Sequence, residues 1–242
     1  MTATSGTEPM PTLSEALEAH ADDWTEWARR RGHDSYWRFH RTAFLELVPA
    51  PGALTLDVGC GEGRVARDLA ALGHRVLALD AAPTMVRRTA EAGGGLLGAV
   101  QADAARLPLP DGAAGLVIAF MALHDMDDMA GAVHEIGRVL QPGGRLCLAV
   151  IHPLNGAGSF RGERDAEFGV TDDYFWRRRR SFHAEGGGLR MTFGFMHRPL
   201  EDYFAAMMEA GLAVEMVREP RPGDGSAWDR IPPFLGLRAV RV

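Results

Sequence analysis

Short apolar runs alternate with stretches of helical spacing over the first two thirds of the chain, and then the pattern stops. Runs of strand length lie near 53–58, 75–79, 96–100, 115–120 and 144–151. The segments between them, near 63–72, 83–92 and 126–139, read as helices. Pro83 ahead of Thr84, Met85 and Val86 suits a first helical turn, where a missing N–H costs nothing. Upstream, residues 12–31 and 35–47 set Leu13, Leu17, Trp24 and Trp27, then Trp37, Phe44 and Leu45, at helical intervals, which predicts an N-terminal helical cap. From 152 to 198 no period is sustained, and a structureless stretch of that length is uncommon in a compact domain unless it is functional. Pro199 to Gly211 then reads as a helix with a glycine stop. Leu212 to Arg218 and Phe234 to Val242 read as strands, with a Pro- and Gly-rich loop between them.

Strands alternating with helices put their carboxyl ends on one edge of a sheet, where ligands bind in open α/β folds. The first such end is Leu54-Thr55-Leu56-Asp57-Val58-Gly59-Cys60-Gly61-Glu62-Gly63-Arg64, an apolar strand running into an acidic residue and three alternate glycines. Glycine admits backbone angles closed to other residues and lets main chain lie against a ligand. The spacing differs from the dinucleotide fingerprint G-x-G-x-x-G: the third glycine comes one residue early and Arg64 stands where that fingerprint has Gly. Asp80 closes the second run about 20 residues beyond the loop, where a carboxylate can grip ribose hydroxyls. Asp103-Ala104 follows the third run, Met121-Ala122-Leu123-His124-Asp125 the fourth, and Leu140-Gln141-Pro142-Gly143 leads into the fifth.

This order resembles the class I S-adenosylmethionine-dependent methyltransferases, especially the methyltransferase type 11-like group acting on small molecules. The resemblance covers roughly 53–151. It implies an α/β, Rossmann-like, seven-stranded and mostly parallel sheet with helices on both faces, its last two strands forming an antiparallel hairpin. It also implies S-adenosyl-L-methionine as cofactor and S-adenosyl-L-homocysteine as product. Gly59, Cys60 and Gly61 would contact the methionyl part, and Asp57 would hold the loop and the amino group. Asp80, with Ala81 beside it, would bind the ribose. Asp103 and Ala104 would recognise adenine, and Phe120 would border the site. The expected organisation is one methyltransferase domain over 1–242: a cap at 1–48, the cofactor-binding core at 49–151, a substrate-side insertion at 152–198, and a C-terminal helix and strand hairpin at 199–242.

Composition narrows the chemistry. The chain has 242 residues, 46% of them hydrophobic, enough for one α/β core. All 26 basic residues are Arg, which excludes a Schiff-base lysine and the lysine of a phosphate loop. Two cysteines, Cys60 and Cys147, suggest neither a disulfide framework nor a zinc site, and Cys60 reads as a small filler. No run approaches the ~20 apolar residues of a membrane span, and the first residues lack the order of a secretion signal. A cytoplasmic enzyme with no membrane partner is the expectation; oligomeric state stays open.

Methyl transfer needs a held geometry and a dry pocket, with a base only where the acceptor keeps its proton. His152, at the end of the fifth run and followed by Pro153, is the first candidate, His124 with Asp125 the second, and His197 with Arg198 the third. Tyr36, Trp37, Tyr174, Trp176, Tyr203 and Trp228 are candidates for an aromatic lining, although packing explains most such rings. Asp125, Asp127 and Asp128 lie close together, yet nothing elsewhere completes an oxygen-ligand site, so no metal is expected. Arg177 to Arg180 after Tyr174-Phe175-Trp176 could meet phosphates and bases. A net charge of −6 favours a solvated loop balanced by Asp172 and Asp173. The function expected is therefore methyl transfer to an O, N or C nucleophile of a small molecule, an expectation that extends to bacterial secondary metabolism. An RNA-directed methyltransferase is the alternative, nucleic acid being the less favoured partner. A NAD-type oxidoreductase or a non-catalytic cofactor-binding protein is the alternative from another class.

Overall fold

The computed structural model describes residues 11–242 except 33, 162–165 and 187. Residues 1–10, part of the expected cap and of the region read for a secretion signal, lie outside the described residues. The cap is built from α1 (Leu13–Ala19), α2 (Ala21–Arg29), a π-turn (Tyr36–His40) and α3 (Arg41–Leu45). Thr12 starts α1 with a capping box: its hydroxyl accepts from Glu15 N–H at 3.1 Å and its own N–H donates to Glu15 Oε2 at 2.7 Å.

The core follows as β1 (Leu54–Val58), α4 (Arg64–Ala71), β2 (Arg75–Asp80), α5 (Pro83–Ala92), β3 (Gly98–Gln101), β4 (Ala114–Phe120), α6 (Met129–Val139) and β5 (Leu140–Ile151). Pro83 occupies the first turn of α5, as its chemistry predicts. Asp128 caps α6 by accepting from Gly131 N–H at 2.9 Å. Strand β5 begins at Leu140, earlier than the expected 144: Leu140 pairs with Ala114, and the register shifts before Arg145 pairs with Leu116. This irregularity absorbs the Gln141-Pro142-Gly143 turn within the strand.

The remaining elements are α7 (Pro153–Ala157), β6 (Gly158–Arg161), β7 (Glu167–Val170), β8 (Arg178–Gly186), β9 (Leu189–His197), α8 (Leu200–Glu209), β10 (Leu212–Arg218) and β11 (Phe234–Arg241). Residues 152–198, irregular by sequence period, thus fold as a short helix and two antiparallel hairpins, β6–β7 and β8–β9. Each hairpin is a two-stranded sheet of its own. Residues of β8 are exposed or half-buried throughout, so there is no dry face to impose an alternation on the sequence. Arg178 to Arg180 belong to this strand and not to a loop.

Among the described residues, seven strands form one sheet in the order β10-β11-β5-β4-β1-β2-β3. Strands β1 to β5 pair in parallel, while β11 runs antiparallel to β5 and β10 antiparallel to β11. Side chains alternate across β4: Val117 and Ala119 join a core with α6 and α8, whereas Leu116, Ile118 and Phe120 join one with α3 and α4. Burial on both faces explains why these strands read as continuous apolar runs. The chain leaves β1 toward β2 and β3 and then crosses to β4 on the other side of β1. The switch point between β1 and β4 is where a ligand crevice opens. No helix among the described residues is long and apolar enough to cross a membrane.

Candidate functional site

The loop Gly59 to Gly63 fills the mouth of that switch point. Gly59 and Cys60 N–H groups both donate to Leu79 O, at 2.8 and 3.0 Å, tying the loop to the end of β2. Gly59 has φ 73° and a Cβ there would lie 2.4 Å from Ala122 Cβ, so only glycine lets β1's loop press against the segment after β4. That segment leaves β4 through Met121, a non-glycine residue at φ 53°, and crosses the cavity floor as a 3-10 turn, Leu123–Asp125. Glu62 is buried and held by Arg67 at 2.7 and 2.8 Å and by Arg29 of α2 at 2.9 Å, which fastens the cap to the loop.

Among the carboxylates that line the crevice, Asp57, Asp80 and Asp103 stand at or just beyond the ends of β1, β2 and β3. Asp80 accepts from Gly61 N–H at 2.8 Å and Ala82 N–H at 2.9 Å. Burial nonetheless holds its carboxyl above the usual range. Asp57 is 1% exposed and its Oδ2 has no hydrogen-bond partner. Burial, then the nearby Asp80 charge, push it up to about 7. Asp103 accepts from Ala105 N–H at 2.9 Å. Ala81, Ala104, Cys60 and Phe120 line the same space, so all nine expected cofactor-side residues border one cavity. Burial also raises the Cys60 thiol well above its ordinary value, which suits an inert filler. An orphaned buried carboxylate oxygen beside a second carboxylate fits the cationic methionyl and sulfonium groups of S-adenosylmethionine.

The cavity measures about 1090 Å³. Single-ligand pockets span about 300–1,000 Å³, so this one has room for a cofactor and a second molecule. The second half is walled by α2 (Trp24, Trp27), by the β8–β9 hairpin (Phe193, Phe195) and by Trp228 and Phe234.

A family model described as a methyltransferase domain matches residues 56–148. Over 127 residues the chain is 39% identical to demethylmenaquinone methyltransferase of Thermus thermophilus, covering 50% of this chain and 57% of that protein. It is 35% identical over 119 residues to malonyl-[acyl-carrier protein] O-methyltransferase of Serratia marcescens, covering 48% of this chain and 44% of that one. The solved structure of an S-adenosylmethionine dependent methyltransferase from Mesorhizobium loti superposes with a TM-score of 0.69 at 25% identity, covering 86% of this chain and 98% of that one. Residues 56–148 form a methyltransferase domain, and the fold around them is that of S-adenosylmethionine-dependent methyltransferases. The matches span about half the length of the curated relatives. The methyltransferase domain matched at 56–148 holds the carboxylate side of the cavity, while the aromatic walls of α2, β9 and β11 lie outside it.

Within this methyltransferase fold the three histidine candidates separate. His152 does not line the large cavity. Its Nδ1 accepts from Leu154 N–H at 3.1 Å as the cap of α7, and its Nε2 lies 3.1 Å from Glu219 Oε1. His197 also lies outside the cavity, with Nε2 2.9 Å from Tyr174 O. Burial lowers the pKa of both. His124 does border the cavity. It is buried, pushed down to about 3 by burial and then by the Arg198 charge, and its Nδ1 has no partner. Its Nε2 stands 3.5 Å from Asp125 Oδ1, itself buried and unpartnered, although the Asp125 side chain as a whole exposes 35% of its surface. Enclosure by protein raises the Asp125 carboxyl well above its usual range, with the Asp80 charge adding to this.

The neighbouring aspartates act apart. Asp127 accepts from Leu13 N–H and Arg179, and Asp128 is the α6 cap. No group of three or more possible metal ligands exists among the described residues. Of the aromatic candidates, Trp228 reaches the cavity, whereas Tyr36 bonds Asp68 and Tyr174 OH accepts from Leu200 N–H. Trp24, Trp27, His40, Phe193, Phe195 and Phe234 were not singled out by sequence as lining residues. The first pair carried only a helical period, and the rest converge from segments far apart in the chain.

Proposed function

We propose that this protein transfers the methyl group of S-adenosylmethionine to a small molecule enclosed in the cavity. The observation that carries the reading is Asp57: a buried carboxylate oxygen without a donor, beside Asp80, is costly in the ligand-free protein and is relieved by a cation. When bound, the cofactor supplies a methyl carbon already activated by its sulfonium. Asp80 would hold the ribose hydroxyls, and Asp103 with Ala104 the adenine edge. Asp57 would meet the positive charge through the loop. The β8–β9 hairpin and α2 would keep water from the acceptor, and His124, neutral and lining the cavity, would receive a proton where the acceptor must lose one.

Each arginine of the 177–180 run already meets a carboxylate, which supports a small acceptor over nucleic acid. Arg177 pairs with Asp202 at 2.6 Å, Arg178 with Asp172, Arg179 with Asp127 at 2.8 Å and Arg180 with Asp172 at 2.8 Å. The test is calorimetry with S-adenosylhomocysteine and NAD, followed by incubation with labelled cofactor and a panel of phenols, amines, indoles and RNA. Homocysteine-product binding and label on a small molecule are expected. Tight NAD binding without S-adenosylhomocysteine binding, or label on RNA alone, would replace the reading.

A further inference from the structure

Beyond its carboxylates the cavity turns aromatic. Phe193 of β9 stands edge-on to Trp24 (5.5 Å, 89°) and Trp27 (5.7 Å, 76°) and stacks on Phe182 of β8 (4.9 Å, 15°). Near β11, His40 stacks on Phe234 at 4.2 Å and 13°. Burial pushes His40 down to about 3, so this ring is neutral and behaves as another flat apolar wall. A planar ligand among such rings gains both face and edge contacts.

Charge in the same space is one-sided. The arginines lining it are each paired: Arg38 with Asp224, Arg64 with Asp34 at 2.6 Å, and Arg180 with Asp172 at 2.8 Å. Asp125 has no cation in hydrogen-bond contact, and its Oδ1 and the neighbouring His124 Nδ1 are buried without partners. Both atoms can accept a hydrogen bond, and leaving them unpaired is costly. Arg198, the positive charge that acts on Asp125, donates to Met126 O and Asp127 O and does not line the cavity.

We propose that the acceptor subsite takes a flat aromatic molecule, neutral or cationic, bearing an O–H or N–H group that donates to Asp125, its ring held between the Phe193 cluster and the His40–Phe234 stack. The inference rests on the methyltransferase reading and names its acceptor class. A carboxylate or phosphate ester in place of that group brings no proton to donate to Asp125 or His124 and meets no unpaired arginine on the cavity wall, so the site discriminates against anions.

The probes are 2-naphthol, 2-naphthylamine and 2-naphthoate, titrated at pH 7.5 into protein saturated with S-adenosylhomocysteine and read by calorimetry and tryptophan fluorescence. Naphthol and naphthylamine should bind at least about tenfold more tightly than naphthoate, as one buried acceptor satisfied or left unpaired requires. Asp125→Asn should shrink that ratio to about threefold or less, and Phe193→Ala should weaken all three probes together. Binding of S-adenosylhomocysteine by each variant reports that it is folded. Naphthoate binding as tightly as naphthol, a ratio unchanged in Asp125→Asn, or no probe binding to the loaded protein would each overturn the inference. Failure of S-adenosylhomocysteine itself to bind would instead overturn the reading on which it rests.

Discussion

Arg179 donates to Asp127 Oδ1 at 2.8 Å and so joins the β8–β9 hairpin to the turn after β4. The second oxygen of Asp127 accepts from Leu13 N–H at 2.9 Å, and Arg179 also reaches Pro11 O. One carboxylate thus gathers the start of α1 and the hairpin, two elements absent from the matched core, over the crevice. Burial works to raise Asp127, yet Leu13 N–H and Arg179 hold its carboxyl below the usual range.

Arg179→Ala should release both elements with little loss of global stability, no more than about 1 kcal/mol for a partly exposed pair. Hydrogen exchange would rise in 13–19 and 189–197, and S-adenosylhomocysteine would dissociate several-fold faster. Exchange identical to that of the parent in both segments would show that the pair holds nothing.

Asp80→Ala should weaken S-adenosylhomocysteine binding by about 1.5–3 kcal/mol, the range for hydrogen bonds to a charged group. The same change frees Gly61 and Ala82 N–H groups, so urea denaturation of the ligand-free variant must accompany the calorimetry. Unchanged affinity in a folded variant would remove Asp80 from the site.

Asp57 sets a pH dependence whose sign is definite. Folded, it keeps its proton up to about 7 against an ordinary value of 3.8. Between these values the folded state binds more protons than the unfolded one, so stability falls as pH rises through the window and the loss is complete above about 7. Asp57→Asn should therefore stabilise the ligand-free protein by roughly 1–4 kcal/mol at pH 8 and scarcely at all near pH 4. At pH 8 it should also weaken S-adenosylmethionine, because the charge that meets the cation is gone. Urea midpoints at the two pH values test the first statement, and equal stabilisation at both would refute it.

His152 and His124 predict different phenotypes. His152→Ala removes the α7 cap and the Glu219 contact, so about 1 kcal/mol of stability should be lost with turnover within a few-fold of the parent. His124→Ala should leave cofactor affinity nearly intact and lower turnover ~10²–10⁴-fold on an acceptor that must shed a proton. The reverse pattern, with His152 governing turnover, would move the base to the end of β5.

The sequence by itself carried the core and the carboxylate edge of the cavity. Strands β1, β2, β4 and β5 are buried on both faces, and amphipathic helices follow β1, β2 and β4, so each leaves a local signature. The residues that line the carboxylate side stand at or just beyond the carboxyl ends of consecutive strands, Asp57 to Gly61, Asp80 and Asp103. Their juxtaposition follows once the strands are parallel and the strand order reverses between β1 and β4. Only the tertiary structure decided the other half. Strand β8 has no buried residue to pattern its sequence, the alternation of β9 that buries Met191, Phe195 and His197 lay unread within an irregular stretch, and the aromatic wall joins Trp24, Phe193 and Phe234 across nearly the whole chain. The histidines make the same point. His152 and His124 both follow strands of the sheet, but β5 hands His152 to the cap of α7 whereas the positive φ of Met121 turns the chain after β4 across the cavity floor. Which histidine borders the cavity was therefore settled by where the backbone turns and what packs behind it, information that no single strand end contains.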